Sequence, residues 1–118
     1  MNFTARLSTI GKLFHAAIPN TYHYFRPQMQ APYFVWAEDG LDRFCTDNKT
    51  GEFVILGTAD YFTQQEYDPA IDKLMELFEG YGFSWSINSI QYEEETKLIH
   101  YEFSWGVGTG GNPENQGA

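Results

Sequence analysis

FSWSINSIQYEEETKLIHYEFSW, residues 83–105, carries the period that decides the fold. Ile99, Tyr101, Phe103 and Trp105 alternate with polar residues, which puts them on one face of a strand. Upstream, Phe83, Trp85 and Ile87 keep odd numbers, whereas Ile90 and Tyr92 fall on even ones. One extra residue near Asn88-Ser89, a β-bulge, restores a continuous apolar face and sharpens the twist. With residues 94–97 as the turn, Tyr92 stands opposite Ile99 and Ile90 opposite Tyr101. The stretch is an antiparallel hairpin.

Working outward, Asp68-Pro69 predicts a helix start, with an N-cap carboxylate and proline at the first helical position. Ile71, Leu74, Met75 and Phe78 form its apolar stripe, and Gly80 or Gly82 closes it. Glu79 near that end has the wrong sign for the helix dipole. Residues 52–63 read as a strand, apolar on both faces over residues 53–56, which predicts a central place in the sheet. Residues 38–51 are polar, with Asp39-Gly40 and Gly51 as turn formers, and read as a long loop or an extended hairpin tip. Residues 31–37 and 21–25 are two further strand candidates, rich in β-branched and aromatic residues. Phe3, Leu7, Ile10, Phe14 and Ala17 line one side of a first helix that Pro19 and Asn20 stop. The order is α-β-β-β-α-β-β: an α+β fold, a mostly antiparallel twisted sheet with two helices on one face. Residues 1–105 form the single domain, and residues 106–118 read as a flexible glycine-rich tail.

The 118 residues suffice for one core, and 42% of them are apolar. Seven basic against sixteen acidic residues give a net charge of −9, which argues against a general binder of nucleic acid. No stretch reaches the roughly 20 apolar residues of a membrane span. The N-terminus does not read as a signal peptide, because Arg6, Gly11 and Lys12 interrupt it. These features predict a soluble, intracellular chain. The charge is split: residues 1–37 hold Arg6, Lys12 and Arg26 and no acid, and residues 38–118 hold all sixteen acids against four bases. One reading is a solvated acidic surface. The other is a basic edge that meets an acidic edge of the next copy, as a head-to-tail ring requires.

No constellation for catalysis emerges. His15, His23 and His100 are scattered, without metal-ligand spacing, and the lone Cys45 sits in the polar loop. His100 falls on the polar face of the last strand and is expected to be solvated, whereas His23 among aromatics is expected to be packed or at an interface. Glu38, Asp39, Asp42 and Asp47 lack calcium-loop spacing. The glycine run 106–111 opens no helix, so it is no phosphate loop. Neither metal nor cofactor is expected. Aromatics make up 18% of the chain, and Tyr22, Tyr24, Phe25, Tyr33 and Trp36 are candidate interface anchors.

Particular stretches carry a resemblance to a family: His23-Tyr24-Phe25-Arg26-Pro27, Pro32-Tyr33-Phe34-Val35-Trp36-Ala37-Glu38, and Gly57-Thr58-Ala59-Asp60-Tyr61-Phe62-Thr63. Asp68-Pro69-Ala70-Ile71-Asp72-Lys73-Leu74 and the hairpin over residues 92–103 complete them. Together, and in this order, they resemble the small tail-completion or tail-terminator proteins of long-tailed bacteriophages, also called head-to-tail joining or minor tail proteins. The resemblance covers most of residues 3–105 and is one of element order, with the glycine-rich tail as its departure.

It implies a non-enzymatic virion protein of the tail or neck, assembled in the cytoplasm of a bacterial host, whose subunits form a ring, a hexamer by the resemblance. The ring would cap the tail tube and join it to the head connector, with DNA passing through unbound. The expected ring contact sets Arg6, Lys12 and Arg26 against Glu38, Asp39 and Asp42, or against Glu93, Glu94 and Glu95. The alternatives are another neck or head-completion protein and a small ligand-binding α+β domain. The last of these predicts a pocket where His23 or His100 converges with carboxylates.

Overall fold

In the computed structural model, which describes residues 2–25, 30–43 and 53–109 (Arg43 by its backbone alone), two helices cover one face of a five-stranded sheet. Helix α1, Phe3–Ala17, starts where the Asn2 side chain accepts the Ala5 amide at 3.1 Å. It ends at Ile18, ahead of Pro19, and Ile10 and Phe14 on its inner side are fully buried. Helix α2, Ala70–Gly80, begins one residue later than expected. Pro69 takes the N-cap position, and Asp68 caps from behind it, its Oδ1 accepting the Ala70 amide at 2.9 Å.

Two glycines share the work at the far end of α2. Gly80 is its last residue, and Gly82 turns the chain at φ 72°. The Phe83 amide then reaches back to the Phe78 carbonyl at 2.9 Å, and the two rings meet at 5.4 Å. This is a Schellman closure with its apolar contact.

The strands are β1 Thr21–His23, β2 Tyr33–Arg43, β3 Phe53–Thr63, β4 Ser84–Glu93 and β5 Leu98–Gly108, in the order β1-β2-β3-β5-β4. Only β1 on β2 is parallel. β3 takes the central place that its sequence predicts. The hairpin has the predicted register, Tyr92 opposite Ile99 and Ile90 opposite Tyr101, and the bulge lies between Ile87 and Ser89.

Three boundaries differ from expectation. β1 stops at His23, because Tyr24 turns to φ 76° and the Phe25 amide folds back onto the His23 carbonyl. Of the two readings for residues 38–51, the hairpin holds as far as Arg43, which pairs with Phe53; a bulge between Glu38 and Gly40 absorbs the Asp39-Gly40 turn signal. Residues 44–52, with Cys45 and Asp47, lie outside the described residues. β5 runs past the expected domain edge at Trp105, since Val107 is buried and the Thr109 amide bonds the Phe53 carbonyl at 2.8 Å. The rest of the expected tail, residues 110–118, also lies outside the described residues.

Phe14 is the hub between helices and sheet. Its ring lies 5.1–6.1 Å from those of Phe34, Trp36, Phe78, Phe83 and Trp105. Full burial of such a side chain contributes roughly 1.5–3 kcal/mol. The indole of Trp105 packs against Gly57 and donates to the Thr58 carbonyl at 3.0 Å. A smaller cluster, Tyr33, Phe62 and Leu98, is buried on the sheet face away from the helices. Tyr33 and Trp36, two of the expected interface anchors, are therefore core residues of the protomer, 3% and 4% exposed.

Candidate functional site

Both strand histidines meet carboxylates. His23 and Trp36 share a register position on the helix side of the sheet, and their rings stack at 3.9 Å. Tyr24 covers the other side of the imidazole at 3.8 Å. Glu38, two residues beyond Trp36, meets the His23 Nε2 at 2.7 Å and accepts the Tyr24 hydroxyl. On the opposite sheet face, His100 stacks on Phe62 at 4.2 Å. Its Nε2 lies 2.7 Å from Asp60 Oδ1 and its Nδ1 3.5 Å from Glu93 Oε2. His100 is thus three-quarters or more covered, not solvated as its place on a polar face suggests.

Such pairs resemble the base-and-orienter half of a catalytic site. A general base needs one nitrogen aimed at a substrate proton. Both nitrogens of His100 face carboxylates of neighbouring strands, so the ring ties β3, β4 and β5 together. His23, stacked on both faces and held by Glu38, pins the end of β1 to β2. Among the described residues, two of the shallow depressions on the surface are lined by neither His23 nor His100. One, of about 270 Å³, lies by Leu56, Ser84, Ser86 and Gly106. The other, of about 390 Å³, runs between the helices past Leu13, Ala17, Lys73 and Leu77. Among the described residues no group of three or more His, Cys, Asp or Glu is arranged to hold a metal ion, and no helix is long and apolar enough to cross a membrane.

The expected contact residues scatter. Arg6 donates Nη2 to the Gly108 carbonyl at 2.7 Å, and burial pulls its guanidinium below its ordinary pKa. It fastens α1 to the end of β5. Lys12 is exposed on α1, and Arg26 lies outside the described residues. Glu38 is engaged by His23 and Tyr24, while Asp39 and Asp42 are exposed towards the far end of β2. Glu93 accepts from Thr96 at 2.9 Å and faces His100, Glu94 sits 3.8 Å from Lys97, and Glu95 is exposed.

What the structure does bring together is an asymmetry across the sheet. α1 packs towards β1 and α2 towards β4. Residues 3–25, which form α1 and β1, hold Arg6 and Lys12 and no acid, although Arg6 reaches across to β5 and Glu38 of β2 lies against His23 and Tyr24. The α2–β4 flank, residues 70–95, holds Lys73 against Asp72, Glu76, Glu79 and Glu93 to Glu95. Each flank also exposes large apolar side chains: Tyr24 (60%) and Phe25 (70%) just beyond β1, and Ile90 (56%) and Tyr92 (55%) on β4. The two anchors on β4 were assigned to the hairpin face by periodicity; the sequence does not reveal that α2 leaves them uncovered.

No protein-family model matches the chain, and no curated protein sequence matches it.

Proposed function

We infer that the chain is a structural subunit of a long-tailed bacteriophage tail or neck: a tail-terminator or tail-completion protein that forms a ring, caps the tail tube and joins it to the head connector. The observation that carries this reading is the pair of unlike flanks. One, β1, belongs to a segment without acids, and the other, β4, runs into Glu93, Glu94 and Glu95; each has exposed apolar side chains, and they are the two edge strands of one sheet. Unlike, complementary surfaces on one subunit make heterologous contacts, and these close into rings when the rotation allows. The order of elements and the hairpin over residues 92–103 add the resemblance to that family. The use of both strand histidines as ties between strands fits a scaffold. A chain of net charge −9 suits a passage through which DNA slides without sticking.

Negative-stain microscopy of the purified protein, together with co-expression of a long-tailed phage's tail-tube protein, tests this reading. Annular particles and tubes that end at a ring are expected. An absence of annuli, with tube growth indifferent to the chain, overturns it. In that event the groove between α1 and α2 becomes the place to look for a small ligand.

A further inference from the structure

We propose that β4 pairs with its own copy: in subunits not held in a ring, two β4 strands align antiparallel about a two-fold axis between Asn88 and Ser89, with Trp85 facing Tyr92 and Ile87 facing Ile90 of the second copy. The inference goes beyond the ring reading, because it gives the β4 edge a use outside the ring. β4 is the last strand of the sheet, and among the described residues no strand pairs with its outer edge. An open edge is a template for another strand, and lysine, proline or shortness usually blunts it. β4 is ten residues long and holds neither proline nor cation. The bulge makes it self-complementary. Trp85 and Ile87 precede the bulge, Ile90 and Tyr92 follow it, and all four share the helix side of the sheet with their β5 partners. Outward from the midpoint between Asn88 and Ser89, apolar residues take the second and fourth places in both directions and polar residues the others. Such a strand meets its own copy antiparallel with apolar against apolar, the self-complementary contact of a two-fold dimer.

The pairing covers what the protomer leaves open. Ile90 is 56% and Tyr92 55% exposed. They come to lie beside Ile87 and Trp85 of the second copy, the end of β4 that α2 holds: Trp85 stacks on Phe78 at 5.7 Å and donates to Glu79. Charge favours the same direction. Glu93 falls opposite Ser84 of the second copy, so the two glutamate clusters stand about 30 Å apart, at opposite ends of the pair. Ser84 pairs with Gly106, and Arg6 bonds the Gly108 carbonyl at that same end of the sheet. Among the described residues Arg6 makes no ion pair within its own chain. The two-fold axis carries Glu93, Glu94 and Glu95 of each copy to the sheet end where Arg6 of the other stands, and opposite charges approach at both ends.

The test uses the full chain in about 1 M salt, which screens the charge contacts of a ring to ~3 Å and leaves apolar packing and backbone hydrogen bonds in place. Sedimentation velocity of the wild type should show a dimer. Ile90→Arg, at an exposed position, should fold, as circular dichroism verifies, and should weaken the dimer roughly 30-fold or more. Spin labels on Ser86→Cys and, separately, on Ser84→Cys, both in a Cys45→Ser background, read the register. In the dimer the labelled backbones should lie about 17 and about 30 Å apart along the strands. A wild type that is not a dimer in high salt, a dimer that Ile90→Arg leaves intact, or labels at other distances overturn the pair and leave the ring reading standing. A dimer with these distances at every salt concentration, and nothing larger, supports the pair and contradicts the ring.

Discussion

At Gly57 a single hydrogen atom in place of a methyl group lets Trp105 reach the backbone of the central strand. A Cβ there would stand 2.1 Å from the indole and 2.4 Å from the Ala37 carbonyl. Gly57→Ala should cost about 3 kcal/mol, at the upper end for an overpacked core, read as a lower urea midpoint. Asp68 is the other residue on which much depends. It accepts from Tyr61 and Thr63 at 2.7 Å each, as well as from Ala70. Burial alone would raise its carboxyl, but these donors outweigh that and hold its pKa below the ordinary value; burial and the same carboxylate push the Tyr61 hydroxyl up. A carboxylate depressed in the folded state stabilises above its unfolded pKa, and that contribution fades as pH falls through the folded value. Asp68→Asn should cost about 2 kcal/mol at neutral pH and flatten the acid limb of stability below about pH 4, as measured by denaturation across pH. The donors to Asp68 come from β3, five and seven residues back, so the sequence showed the cap and concealed the cluster.

Among the elements, local chemistry was readable and long-range pairing was not. The bulge, the turn and every facing pair of the β4–β5 hairpin follow from where the apolar phase slips, because the partners are neighbours in the chain. The stop of α1 follows from Pro19, and the ends of α2 from Asp68 and from Gly80 and Gly82, for the same reason, whereas the Asn2 cap of α1 was not read. The insertion of β5 between β3 and β4 leaves no local mark. His100 therefore reads as solvated until Asp60 and Phe62 are placed beside it, and Glu79 reads as a misplaced charge until it accepts the Trp85 indole at 2.9 Å. Trp36 and Tyr33 look like interface anchors until α1 and the Phe62 cluster cover them. Two changes probe the local part. Lys97 closes the hairpin turn at φ 61°, a conformation costly for any residue with a Cβ, so Lys97→Gly should raise stability by about 1 kcal/mol. Gly82→Ala, at φ 72° in the Schellman closure, should lower it by about 1 kcal/mol. Thermal melts of the two variants should move in opposite directions.

For the whole molecule, the sheet order sends the acid-free N-terminal segment and the segment that ends in Glu93, Glu94 and Glu95 to opposite edges, β1 and β4. Two contact residues expected from the sequence are put to other uses: Arg6 fastens α1 to β5, and Glu38 holds His23. The anchors left exposed, Tyr24 and Phe25 on one flank and Ile90 and Tyr92 on the other, depend on where the helices end over the sheet, which periodicity does not disclose. The claim that unlike flanks join copy to copy is tested most directly by the mass of the wild-type protein in solution. Light scattering behind a sizing column, across protein and salt concentration, should give a discrete oligomer larger than a dimer whose mass falls as salt screens the two flanks. A monomer under every condition, or an oligomer indifferent to salt, would contradict the account.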